Sequence, residues 1–313
     1  MYPLSLAMAV IVPALVLLEY GLIKTRRPLL GEGLWGGFVA GVAVGVAVIA
    51  WELALSWLLP LENLPPVPAA AGHALLIAAL PEETLKYGAT LLVVRRFVYP
   101  GNVADVILTA LGVAVGFAVA EDASYVINAS ANTGDGGMVA LVRSLSAVPV
   151  HVVCGPVMGG MIGSALWQQD VNPQASQWRL AGALLLPVVI HGAYDFLLML
   201  RQGDPEAAWT FQALSLLLAL ATMFGIGVSN HALRTASDVE HSAPPSRAGA
   251  AVAIGAFLIL VGLSLVGLTL LARDLLVQQS LAVYCVVPLL FGLDMLWTAL
   301  TRVGRRQLVR RPG

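Results

Sequence analysis

Residues 80–89 read LPEETLKYGA, with HALLIAA directly before them and TLLVV directly after. Two adjacent carboxylates and an ammonium therefore sit inside an apolar run. An ionisable group near the centre of a bilayer costs about 2.5–3.5 kcal/mol on insertion scales, so it persists where it is paired or functional. Glu82 and Glu83 lie four and three residues before Lys86, one helical turn away, so the lysine can pair with either. A structural ion pair would account for one of the two glutamates and leaves the other uncompensated. Adjacent glutamates in an apolar setting suit a general base acting on water.

Three further apolar runs carry groups of the same kind. GFAVAEDASY holds Glu121 and Asp122, VPVHVVCGP holds His151, and VIHGAYDF holds His191 and Asp195. His191 and Asp195 are four apart and share a helix face, so the carboxylate can orient the ring or bind beside it. Phe117, Glu121 and Tyr125 share another face, while Asp122 points about 100° away and reads as packing or capping. At about 1.5 Å per residue, Glu83 lies roughly 15 Å deep, Glu121 roughly 11–12 Å, His151 roughly 18 Å, His191 roughly 14–15 Å and Asp195 roughly 8 Å. Helices running in opposite directions thus bring polar residues to similar levels, which predicts one polar cavity in the outer half of a bundle. Glu52 falls at a similar depth as an accessory group. Cys154, one turn after His151, reads as a small buried thiol. His73 reads as interfacial, and His231 and His241 as loop residues.

The elements that must position these groups follow from composition. The chain has 313 residues, 58% hydrophobic and 11% charged, with mean hydropathy +0.85; soluble domains carry about 25% charged residues. This predicts an all-α polytopic membrane protein. It excludes a transmembrane barrel, because the apolar runs show no alternation of period two. No basic aromatic-rich patch exists for nucleic acid, and Cys154 and Cys285 form no CxxC pair. The N-terminus lacks a signal-peptide pattern, so the first apolar run is read as a retained helix. Runs of about 20 apolar residues predict nine spans, at 4–23, 34–59, 73–94, 104–128, 139–167, 180–200, 208–229, 249–272 and 280–300. Glycines recur at spacing four in Gly37/Gly41/Gly45, Gly112/Gly116 and Gly155/Gly159/Gly163, which permits close helix approach in lipid.

With the N-terminus outside, the inner loops hold Lys24, Arg26, Arg27, Arg95, Arg96, Arg179, Arg234 and Arg247. The C-terminal tail adds Arg302, Arg305, Arg306, Arg310 and Arg311, thirteen of the seventeen basic residues in all. Only Arg201 and Arg273 stay outside, with Arg143 just inside the outer face. The positive-inside rule therefore predicts an outer N-terminus and a cytoplasmic C-terminus, in the plasma membrane. The predicted organisation is two N-terminal helices in 1–72, a four-helix catalytic core in 73–200, and three C-terminal helices in 201–313 whose role is open.

Two acids and two histidines in a membrane cavity suit activation of water. Histidines, or a metal they hold, can also stabilise an oxyanion. His151, His191 and Glu121 make a three-ligand set of the kind catalytic zinc uses. The chain has no HExxH. The ordered run PEETLK (81–86), GFAVAE (116–121), a lone His151 in a Gly-rich span and HGAYD (191–195) resembles the PrsW-type intramembrane proteases. Those read EExxK, FAxxE, a histidine motif and HxxxD, and are related to the type II CAAX prenyl endopeptidases and to bacteriocin-processing membrane enzymes. The resemblance covers about 73–200. It implies that Glu82 and Glu83 are the paired catalytic glutamates, Lys86 their basic partner and Glu121 the second-motif acid. His151, His191 and Asp195 match the remaining polar positions. Asp122 departs from the pattern, which has asparagine there. The implied activity is hydrolysis of a peptide bond in a membrane-anchored protein (anti-sigma factors are among the family's substrates). Either a divalent metal, zinc first, or a metal-free glutamate-activated water serves that chemistry. A proton- or ion-coupled transporter, or a non-catalytic scaffold, is the alternative that buried acids and histidines also allow.

Overall fold

A computed structural model describes residues 3–25, 32–98, 103–203, 209–236, 248–271 and 275–309. Every regular element among them is helical. In order these are α1 (Pro3–Thr25), α2 (Glu32–Leu58), a 3-10 turn (Leu61–Asn63), α3 (Pro66–Gly72), a π-helical segment (His73–Ala79) and α4 (Leu80–Phe97). Then follow α5 (Val103–Asn132), α6 (Gly136–Leu145), α7 (Ala147–Gln168), α8 (Pro173–Gly203), α9 (Trp209–Ala236), α10 (Ala248–Leu271) and α11 (Leu275–Val309).

Helix α5 is the hub. Its apolar stretch is 83% buried, against 17% for α2 and for α10. Small residues let its neighbours in. A Cβ on Gly37 or Gly41 of α2 would collide with the carbonyl oxygens of Thr109 and Val113, and one on Gly116 of α5 with that of Phe38. On the other side, Gly155, Gly159 and Gly163 of α7 meet Ala114, Ala110 and Val103. The two glycine rows on α2 and α5 thus mesh, and α2 runs parallel to α5, since Gly37 faces Thr109 and Gly45 faces Ala120. Outward faces carry large apolar side chains such as Leu92, Leu270 and Leu271, a surface made for lipid rather than water.

Among the described residues, seven helices are long and apolar enough to cross a membrane: Glu32–Leu58, Val103–Asn132, Gly136–Gln168, Pro173–Arg201, Trp209–Leu233, Gly249–Leu271 and Ala282–Thr301. The predicted span at 73–94 differs from these because Leu80–Phe97 carries Glu82, Glu83, Lys86, Arg95 and Arg96. Of the basic residues behind the orientation, Arg26, Arg27, Arg247, Arg273, Arg310 and Arg311 lie outside the described residues, as does His241.

Two local features depart from uniform spans. The run 139–167 is bent at Ser146 (φ −131°, ψ −70°), between α6 and α7. Pro149 explains it: proline has no N–H for the carbonyl of Leu145 and fits best in a helix's first turn. The bend is pinned by Tyr194 Oη, which donates to Ser146 Oγ at 2.9 Å. In the third run, the π-helical segment ends at Ala79, one residue short of the Leu80–Pro81 step that opens α4. A widened turn there accommodates a proline that lacks the N–H for Ile77 and would crowd its carbonyl. Two helix ends are closed by local residues. Asn172 Oδ1 accepts from Ala175 N at 3.0 Å just before Pro173. Gly134 closes α5 at φ 77°.

Candidate active site

The site forms at the end of the bundle where α2, α5 and α8 finish and α4 and α7 begin. The turn after Pro81 aims Glu82, Glu83 and Lys86 inward from one face of α4. Lys86 Nζ donates to Glu83 Oε1 at 2.8 Å and to Glu82 Oε2 at 3.2 Å. It also lies 3.1 Å from Nδ1 of His151 on α7 and 3.7 Å from the ring centre of Phe117 on α5. Phe117, fully buried, forms a wall, with its ring 5.2 Å from that of His151. The two imidazoles stand edge to face at 4.8 Å.

Each histidine is held on its far nitrogen by a carboxylate. His191 Nε2 lies 3.2 Å from Asp195 Oδ2, and its Nδ1 lies 3.0 Å from Glu83 Oε1. His151 Nε2 lies 2.8 Å from Glu121 Oε2. An ionised carboxylate only accepts hydrogen bonds, so Nε2–H of His151 donates outward and the Nδ1 lone pair faces the centre. Carboxylates on the outer nitrogens of inward-facing imidazoles are the arrangement that orients histidine ligands at metal sites.

The donor set fits a divalent cation. Glu82, Glu83, His151 and His191 each offer one atom, and these atoms lie within 4.8 Å of one another. Glu83 Oε2 is buried with no hydrogen-bond partner, so one oxygen of that carboxylate has free lone pairs. The structure thus brings together all seven residues singled out from sequence. Their arrangement is layered: Glu121 and Asp195 stand behind the histidines, and Glu121 is not among the four converging donors.

Access is one-sided. The side chains of Glu82, Glu83, Lys86, His151 and His191 are 0–4% exposed, whereas Glu121 and Asp195 are each 18% exposed and Arg143 is 15%. The rim therefore lies on the Glu121–Asp195 side. Glu52 reaches this rim half-buried from α2, close to Glu121, Asp195 and Glu82. Asp122, 1% exposed, accepts from Arg143 Nε at 2.5 Å, which agrees with a packing role. Cys154 is buried with its thiol 3.8 Å from Pro187 O. Arg143 itself was not singled out by motif spacing. The available signal was a lone arginine in the apolar run MVALVRSLSAVPV, which demands partners at that depth.

Residues 26–237 match the family described as PrsW family intramembrane metalloprotease. Protease PrsW of Shouchella clausii is 30% identical over 201 residues, covering 62% of this chain and 83% of that protein. Protease PrsW of Geobacillus kaustophilus is 30% identical over 203 residues, covering 63% and 81%. Protease PrsW of Bacillus subtilis is 32% identical over 117 residues, covering 37% and 50%. No solved structure matches the chain. These relatives do not favour a transporter or a scaffold. With two glutamates, two carboxylate-backed histidines and a lysine converging inside a helical membrane bundle, they lead to one conclusion: the chain belongs to the PrsW family of intramembrane metalloproteases.

Proposed function

We propose that the buried cluster is the hydrolytic centre: of its four converging donors, Glu82, His151 and His191 would hold a divalent metal, zinc first, and Glu83 stands beside it as the base. The observation that carries this is the convergence of these four donors within 4.8 Å of one another. Zinc with nitrogen and oxygen ligands and an open position supplies a polarised carbonyl and an acidic water. The chain's own residues do the rest. Glu83, through the unpartnered Oε2, accepts a proton from water as the hydroxide oxygen bonds to the scissile carbonyl carbon. Glu82 is the runner-up for that role. The same carboxyl returns the proton to the amine nitrogen as the C–N bond breaks. Lys86 places positive charge beside both glutamates. Asp195 and Glu121 orient His191 and His151; the sequence pattern alone would equally make Glu121 a ligand.

The substrate is a membrane-anchored protein entering on the Glu121–Asp195 side, cut within or near the outer half of the bilayer. The reading includes nine crossings, an outer N-terminus, a cytoplasmic C-terminus and the plasma membrane, supported by the asymmetry of basic residues. It also includes a catalytic core over 73–200, framed by two N-terminal and three C-terminal helices. The test is Glu83→Gln in proteoliposomes, with single-span reporter proteins as probes. Cleavage should be lost while the variant inserts and melts like wild type, and full activity would overturn the glutamate's role.

A further inference from the structure

Arg143 lies at the last turn of α6, at the rim and behind Glu121 as seen from the buried donors. Its Nε donates to Asp122 Oδ1 at 2.5 Å, and its Nη2 forms an ion pair with Glu121 Oε2 at 2.8 Å without the alignment of a hydrogen bond. The guanidinium stacks on Tyr125, with Cζ 4.0 Å from the ring centre. Glu121, Asp122 and Tyr125, within about one turn of α5, thus surround one planar cation. Oε2 of Glu121 is the same oxygen that meets His151 Nε2. The guanidinium is held in place in turn, because α6 continues into the Ser146 bend that Tyr194 Oη pins from α8.

From this geometry we infer that Arg143 is a positioning residue for the active site. It fixes the carboxylate of Glu121, which fixes the ring of His151, so that Nδ1 faces the centre. A guanidinium is needed, because it sets one nitrogen beside each of two neighbouring carboxylates at once; an ammonium offers a single point of charge. Without the guanidinium, Glu121 turns freely toward the rim and His151 loses the partner that sets its orientation. Outer partners of this kind typically change metal affinity or activity by about 10–100-fold. The inference rests on His151 being one of the metal-holding residues, and its test separates the two claims.

The experiment is a zinc titration of detergent-purified full chain against a competing chelator, with melting of the metal-free protein as the folding control. Wild type, His151→Ala, Glu121→Gln, Arg143→Met, Arg143→Lys and the Arg143→Met/Glu121→Gln double variant are compared. Arg143→Met should weaken zinc binding by about 10–100-fold. The double variant should bind within about twofold of Glu121→Gln alone, because residues acting through one contact are not additive. Arg143→Lys keeps the charge and preserves the fold should the methionine variant collapse; it should still weaken binding by about fivefold or more. Zinc affinity within about twofold of wild type in folded Arg143→Met or Arg143→Lys overturns the inference, as does full additivity in the double variant. Undiminished zinc in His151→Ala overturns the underlying site assignment instead. Loss in His151→Ala with none in the arginine variants overturns only the role of Arg143.

Discussion

Replacing Glu83 by glutamine keeps the side chain's size and removes the acceptor that a water proton needs. Positioned general bases contribute about 10²–10⁴-fold, and the loss should fall in that range. Residues linked by one helical turn were legible without coordinates: Glu83 with Lys86, and His191 with Asp195, face each other because i,i+3 and i,i+4 neighbours always do. Ring direction is not encoded in spacing, which is why Glu121 could be read as the third metal ligand beside His151 and His191. The structure instead puts its Oε2 on the outer nitrogen of His151. Arg143 was less legible still. It stands 21 residues from Asp122, and only the turn between α5 and α6 brings the two together.

At the scale of elements, the site depends on how closely α2 and α5 approach. Gly41→Val would press a side chain onto the Val113 carbonyl, which is backbone and cannot rotate away. Overpacking of this kind costs about 1–3 kcal/mol. The variant should melt lower in detergent and lose activity. Gly88→Ala is the control, since nothing lies within 4 Å of its added Cβ and alanine favours the helix by up to about 1 kcal/mol. Equal melting of Gly41→Val and wild type would contradict the close-packed seam. Glycines at spacing four announced this seam in the sequence, but not its partner. That α2 meshes with α5, and α7 with the other side of α5, depends on the folded arrangement. The bend at Ser146 was readable from Pro149, yet the apolar run continues through it and conceals the break.

At the scale of the whole molecule, the first and last helices are tied by a buried polar clamp. Lys24 Nζ lies 2.8 Å from Asp294 and 3.2 Å from Thr298 Oγ1, and Tyr20 Oη donates to Asp294 at 2.7 Å. Both α1 and α11 lie outside the matched residues 26–237, so helices beyond that region are docked to one another by charge inside the bundle. Asp294 stands as a lone acid in the apolar run 280–300, and its partner lies 270 residues away, where no local pattern links the two. The proposed orientation has its own check. Thr133→Cys, in the turn after α5, should react with a membrane-impermeant maleimide in intact cells, and Asp170→Cys, in the turn after α7, only after lysis. The reverse pattern would contradict an outer N-terminus.

The most direct measurement is elemental analysis of the purified, folded full chain beside His151→Ala and His191→Ala. The account predicts near-stoichiometric zinc in wild type and its loss in both variants, with melting of the metal-free proteins little changed. Folded wild type without any divalent metal, or metal retained when either histidine is removed, would contradict it.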